Sequence, residues 1–191
     1  MYIKSFICVI LCLAGSLNGR SQVSDLCITG EEELLFREIN RYRKSKNLAA
    51  ITLSAKLSAV AKHHVIDLEN HYVYSSQNKC NPHSWSDKGN WTSCCYTNDH
   101  KEAECMWNKP REISGYEGNG YEIAFYHSSA ATASEALNGW KLSKSHNELL
   151  INLGIWQKVK WKAIGIGIYG KYAAVWFGEL EDESVIENCK N

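Results

Sequence analysis

Eight cysteines are the feature that most limits how this 191-residue chain can fold. Their effect depends on how many remain after export. Met1 to Ser16 carries one basic residue, Lys4, then an apolar run from Phe6 to Ala14 that holds Cys8 and Cys12, then small residues. That is the layout of a secretory signal peptide, placed at residues 1–20 with cleavage somewhere in 16–21. The run is too short to cross a bilayer, which takes ~20 apolar residues, and no other apolar stretch reaches its length, so no membrane span is expected. Cleavage leaves Cys27, Cys80, Cys94, Cys95, Cys105 and Cys189. An even number of cysteines in an oxidising compartment predicts disulfides, with many pairings open. Cys94 and Cys95 are neighbours that would strain a ring between them, so they are expected to reach different partners. Pairing of Cys27 with Cys189 would tie the two ends of the mature chain and contribute roughly 4 kcal/mol in the chain-entropy model. A structural zinc site is the competing use, but no C-x-x-C pair is present and export favours disulfides.

Charge narrows the partners. Twenty-one basic residues balance 21 acidic ones, so no net field exists to hold a polyphosphate or an anionic bilayer, and nucleic acid is not expected. A hydrophobic content of 45% is enough for one good core, and the reading is a single domain over residues 27–189. Asn90-Trp91-Thr92 is a glycosylation sequon in a polar stretch between cysteines, which places Asn90 on an exposed loop.

Periodicity supplies the elements. Glu31 to Asn47 has Leu35, Ile39 and Tyr42 at the spacing of one helical face, with acids in its first turn and Arg43, Lys44 and Lys46 in its last, as the helix dipole favours. Ser54 is placed to cap a second helix running to about Asn70, with Leu57, Ala61, His64, Val65 and Leu68 on one stripe. On that stripe His64 reads as a core side chain with one hydrogen bond. From Tyr72 to Gly120 the periodicity stops, and this interval carries four cysteines and both prolines; it reads as a disulfide-braced excursion, 72–120. Ala130 to Ser145 is helical again. Trp161 to Tyr169, then Lys171 to Phe177 after one glycine, read as a β-hairpin. The sum is an α+β domain with helices packed on an antiparallel sheet. Trp140, Trp156, Trp161 and Trp176 lie in these elements and are expected in the core. The loop residues Trp85, Trp91 and Trp107 are expected to fold back on the disulfides, with one of them as an alternative binding anchor.

Five fragments in this order resemble the CAP superfamily, which includes the cysteine-rich secretory proteins, antigen five and pathogenesis-related proteins. They are Leu57 to Asp67, Cys80-Asn-Pro-His-Ser84, Gly120-Tyr-Glu-Ile-Ala124, Trp140-x-x-Ser-x-x-His-Asn147 and Ile164-Gly-Ile-Gly-Ile168. The resemblance covers roughly Glu31 to Leu180 and is nearest the bacterial-type branch around His146. It implies an α-β-α sandwich with a central cleft lined by two histidines and two glutamates. Carried over by motif, His83 matches the first histidine, Glu122 the glutamate of a Gly-Glu-Asn segment, and His146 the second histidine. The other glutamate normally sits three residues after the tryptophan, where this chain has Ser143. Glu148 is close in sequence, but two residues past His146 it is expected to point elsewhere on a helix.

Two neutral imidazoles and one carboxylate form a set that suits Zn²⁺ or another divalent cation, with an open position that would acidify a bound water. The expectation is therefore a secreted, extracellular protein acting mainly by binding, with His83, Glu122 and His146 as a metal-capable cleft. Its partner class is an extracellular protein, a lipid or a sterol, as the resemblance implies. Two alternatives stand beside it. One is a metal-assisted hydrolase using the same cleft, although no H-E-x-x-H helix or G-x-S-x-G elbow is present. The other is a disulfide-stabilised interaction protein of venom or defence type, with an inert cleft.

Overall fold

The computed structural model describes residues 26–190. The signal peptide expected at 1–20 lies outside the described residues. After a short strand β1 (Cys27–Ile28), helix α1 (Gly30–Ser45) starts from a capping box: Thr29 accepts from the Glu32 amide and the Glu32 carboxylate reaches back to the Thr29 amide. Strand β2 (Thr52–Leu53) leads to α2 (Ala55–His71), capped by Ser54, whose hydroxyl accepts from the Leu57 amide at 2.9 Å. Both helices and the Ser54 cap are those the periodicity predicts.

The expected excursion follows, and it is less irregular than its lack of periodicity implies. It contains α3 (Ala103–Trp107) and α4 (Lys109–Ser114), of five and six residues, too short to show a repeat. Strand β3 (Tyr121–Tyr126) then enters the sheet. The helix expected over Ala130 to Ser145 is two: α5 (Ala133–Leu142) and α6 (Lys144–Leu150), divided at Ser143, whose backbone is extended. A 3₁₀ turn (Gly154–Trp156) precedes the hairpin β4 (Ala163–Tyr169) and β5 (Tyr172–Gly178), and β6 (Glu187–Asn188) ends the fold beside β1.

The main sheet runs β2-β4-β5-β3, antiparallel except for the short parallel pairing of β2 with β4. Alternation along β5 divides the core: Ala173, Val175 and Phe177 pack with α1, α5 and α6 on one face, while Tyr172, Ala174 and Trp176 pack with α2 and the excursion on the other. This is the α-β-α layering that the resemblance implies. The glycines of β4 explain how close α2 comes. A Cβ on Gly165 would lie 2.0 Å from the Leu57 carbonyl carbon, and one on Gly167 2.5 Å from that of Ala61, so the helix rests directly on strand backbone.

Three disulfides join Cys27 to Cys189, Cys80 to Cys95 and Cys94 to Cys105. The first ties the β1–β6 pair together. The other two give Cys94 and Cys95 different partners, as expected, and cross-link the excursion. Trp140, Trp161 and Trp176 are buried, as is the loop residue Trp85, but Trp156, expected in the core, is only partly covered.

A histidine–carboxylate cleft beside the edge strand

β3 is an edge strand, and its alternation sends Glu122 toward the α2 face, where the side chain is fully buried. A buried carboxylate needs partners, and two imidazoles supply them. His64 of α2, itself 0% exposed, places Nδ1 on one carboxylate oxygen, and His83 places Nδ1 2.7 Å from the other. Burial pushes the Glu122 carboxyl up, but the charge and hydrogen bond of His64, then those of His83, outweigh it and hold the group well below the usual carboxylate range.

His64 is the site residue that the sequence reading missed. It lies in the core, as expected, but bonds at both ring nitrogens rather than one. Its Nε2 meets the Ser84 carbonyl at 3.0 Å. A carbonyl only accepts, so Nε2 carries a proton, and a further proton must lie between Nδ1 and the Glu122 carboxylate. The ring stacks on Trp85, with centroids 4.2 Å apart and planes 8° from parallel. The signal for its role was its position on a fully apolar stripe, where an imidazole needs a partner from another element.

His83 arrives from the excursion and is held by local chemistry. The Asn81 side chain accepts from the His83 amide at 3.0 Å, the Asn81 amide donates to the Tyr96 carbonyl at 2.8 Å, and the Cys80–Cys95 disulfide fixes the start of the turn. The Tyr96 ring meets His83 edge-on. Since His83 gives its Nδ1 proton to Glu122, a neutral ring keeps Nε2 as its acceptor.

His146, from α6, borders two cavities that His83 borders as well. Burial lowers its pKa to about 4, helped by the charge of His83 and partly offset by Glu122. The larger cavity, about 500 Å³, is bordered by Glu122, His83, His146, a third histidine, His100, and Ser145, and by apolar and aromatic side chains that include Met106, Trp107, Leu149 and Trp156. Glu148, expected to point elsewhere, lines this cavity too. Ser143 faces the second cavity, of about 450 Å³.

The structure thus brings His83, Glu122 and His146 to one cleft and adds His64 beneath it. The donors are not arranged to fit a metal ion. Both Glu122 oxygens are engaged by imidazoles, and among the described residues no group of three or more His, Cys, Asp or Glu side chains is placed to hold one. Asn90 of the sequon is exposed, as its loop position requires.

The sequence profile of the cysteine-rich secretory protein family, CAP, matches residues 36–174. No curated protein sequence matches the chain. Among solved structures, an extracellular protein with an SCP domain from Bacillus anthracis superposes with a TM-score of 0.56 at 18% identity, covering 79% of this chain and 41% of that one. An outer surface protein of Borrelia burgdorferi gives 0.51 at 20% identity, covering 78% and 92%. A cysteine-rich secretory protein of Staphylococcus aureus gives 0.51 at 15% identity, covering 78% and 38%. The chain therefore spans less than half the length of the first and third of these, and the likeness to all three is one of fold.

Proposed function

This chain belongs to the cysteine-rich secretory protein family, CAP, and from that premise we propose that it is an exported protein that acts by binding through the cleft beside β3. The observation that carries this reading is the composition of the larger cavity: about 500 Å³ bordered by histidines and glutamates, His83, His146 and Glu122 among them, together with aromatic and aliphatic side chains. Apolar walls with a few convergent polar groups are the make-up of a site for an organic ligand. Export is supported by the apolar run Phe6 to Ala14, by three disulfides and by the extracellular, surface or secretory descriptions of the structural neighbours.

Trp107 and Trp156 border the cavity and serve as reporters. Emission is followed while the disulfide-bonded protein is titrated with fatty acids, sterols and capped peptides. The reading predicts a saturable change with at least one class, weakened in His83→Ala plus His146→Ala. A flat response to every class would remove it. A divalent cation is the second occupant to test, because His83, Glu122 and His146 all border this cavity. To accept a cation, Glu122 must first be released by a histidine. Calorimetry with Zn²⁺ on wild type and on the double variant decides the point: equal heats exclude metal at these residues.

A further inference from the structure

The cleft has a floor that side chains alone do not describe. The six residues of β3 all line one cavity or the other: Tyr121, Glu122 and Ile123 the larger, and Ala124, Phe125 and Tyr126 the smaller. The two spaces, which share His83 and His146, therefore follow the strand from end to end.

The free edge of this strand is also its hydrogen-bonding edge. The His127 amide donates to the Lys171 carbonyl at 2.9 Å, which sets the phase of the β3–β5 ladder. By alternation Tyr121, Ile123 and Phe125 turn their backbone groups to β5, while Glu122, Ala124 and Tyr126 turn theirs away. The Trp140 indole confirms that direction by donating to the outward Ala124 carbonyl at 3.0 Å. Among the described residues no other hydrogen bond reaches the outward N–H and C=O of Glu122 and Tyr126 or the N–H of Ala124. Apart from the Ala124 carbonyl, which Trp140 occupies, the outward donors and acceptors along the strand are unpaired among the described residues, and such an edge on a cavity floor matches one ligand chemistry above others, the backbone of an extended peptide.

Resting on the cleft reading, we propose that the ligand class is an extended peptide segment that adds to β3 as a further strand. At about 3.3 Å per residue, roughly six residues would run the length of the strand. Main-chain bonds to Glu122, Ala124 and Tyr126 supply the register. Side chains directed into the larger cavity meet Met106, Trp107 and Trp156, which select apolar or aromatic residues there.

The test uses capped octapeptides recovered from a randomised pool by binding to the whole disulfide-bonded protein. Each recovered peptide is remade with a single N-methyl group at successive positions. Strand addition predicts an alternating pattern: methylation of an amide that faces β3 weakens binding roughly tenfold, and methylation of the next costs less than about twofold. On binding, amide exchange should slow at Glu122, Ala124 and Tyr126 and stay unchanged at Ile123 and Phe125. Ala124→Pro removes one outward donor without touching the β5 ladder, a substitution that edge strands tolerate, and should also weaken binding roughly tenfold. If that variant does not fold, the methylation series still decides. A flat methylation profile, or no slowing at the three outward amides, overturns strand addition. Recovery of no peptide also overturns it; if fatty acids or sterols still change cleft emission the binding reading survives, and if nothing does both fall.

Discussion

The sheet with its helices and the excursion between α2 and β3 solve the same problem in different ways. The first is held by burial: α2 rests on the glycines of β4, and β5 is covered on both faces. The second has helices of only five and six residues and is held by two disulfides, by the Asn81 turn and by a buried lysine, Lys109, paired with Glu112 and the Thr92 carbonyl. The cleft draws on both. Glu122 and His64 come from the packed body, and His83 reaches the same carboxylate from the cross-linked excursion. One half of the site is therefore carried by the sheet and its helices, and the other by the excursion, which also lends Trp85, Tyr96 and Met106 to the core on the α2 face.

The largest expected effect is at His64. His64→Ala leaves a buried carboxylate with one partner, and urea unfolding should show a loss of about 4 kcal/mol. Gly165→Val tests the helix–strand contact and should cost about 3 kcal/mol, since the clash is with backbone that cannot turn aside. A loss below 1 kcal/mol in either case would break the picture of a rigid body. Replacing Cys94 and Cys105 together by serine should cost roughly 2.5 kcal/mol. Amide exchange should quicken in the excursion and stay slow in β4 and β5; uniform quickening would erase the distinction between the regions.

Acid should act on His146 and Glu122 in the same direction. Folding favours neutral His146, whose pKa falls to about 4 from 6.5, so its contribution is complete above pH 6.5 and is lost as pH drops toward 4. With allowance for solvent screening this amounts to roughly 2 kcal/mol. Folding favours ionised Glu122, so its contribution is full above the ordinary glutamate range and is lost only at lower pH, as the group is finally protonated. A stability profile in which His146→Phe flattens the stretch between pH 6.5 and 4 would bear this out. The smallest effect is expected at His83→Ala, about 1 kcal/mol, because His64 still holds the carboxylate. Equal losses at His64 and His83 would contradict the asymmetry.

Which parts were legible follows from the same contrast. The packed body writes its structure as periodicity and caps, so α1, α2, the Ser54 cap and the hairpin could be read directly. The family fragments pointed to His83, Glu122 and His146, and the three do share a cleft. The excursion left only its cysteines visible, since α3 and α4 are shorter than two helical turns. His64 looked like ordinary core because its partners, Glu122 and Ser84, are 58 and 20 residues away. Glu148 was expected to point elsewhere because it lies two residues past His146 on a helix; both residues do lie on α6, but the larger cavity is wide enough to be bordered by both. Trp156 was assigned to the core with the tryptophans of the expected elements, for its large burial area, whereas it is only partly covered and borders the cleft.

The central claim is that Glu122 is the junction where body and excursion meet, held ionised between two imidazoles. Carbon-13 NMR of the Glu122 side-chain carboxyl during a pH titration tests it most directly. The account predicts titration well below the ordinary glutamate range, moving up in His64→Gln and by less in His83→Gln. A carboxyl that titrates like an exposed glutamate, or that ignores both substitutions, would contradict it.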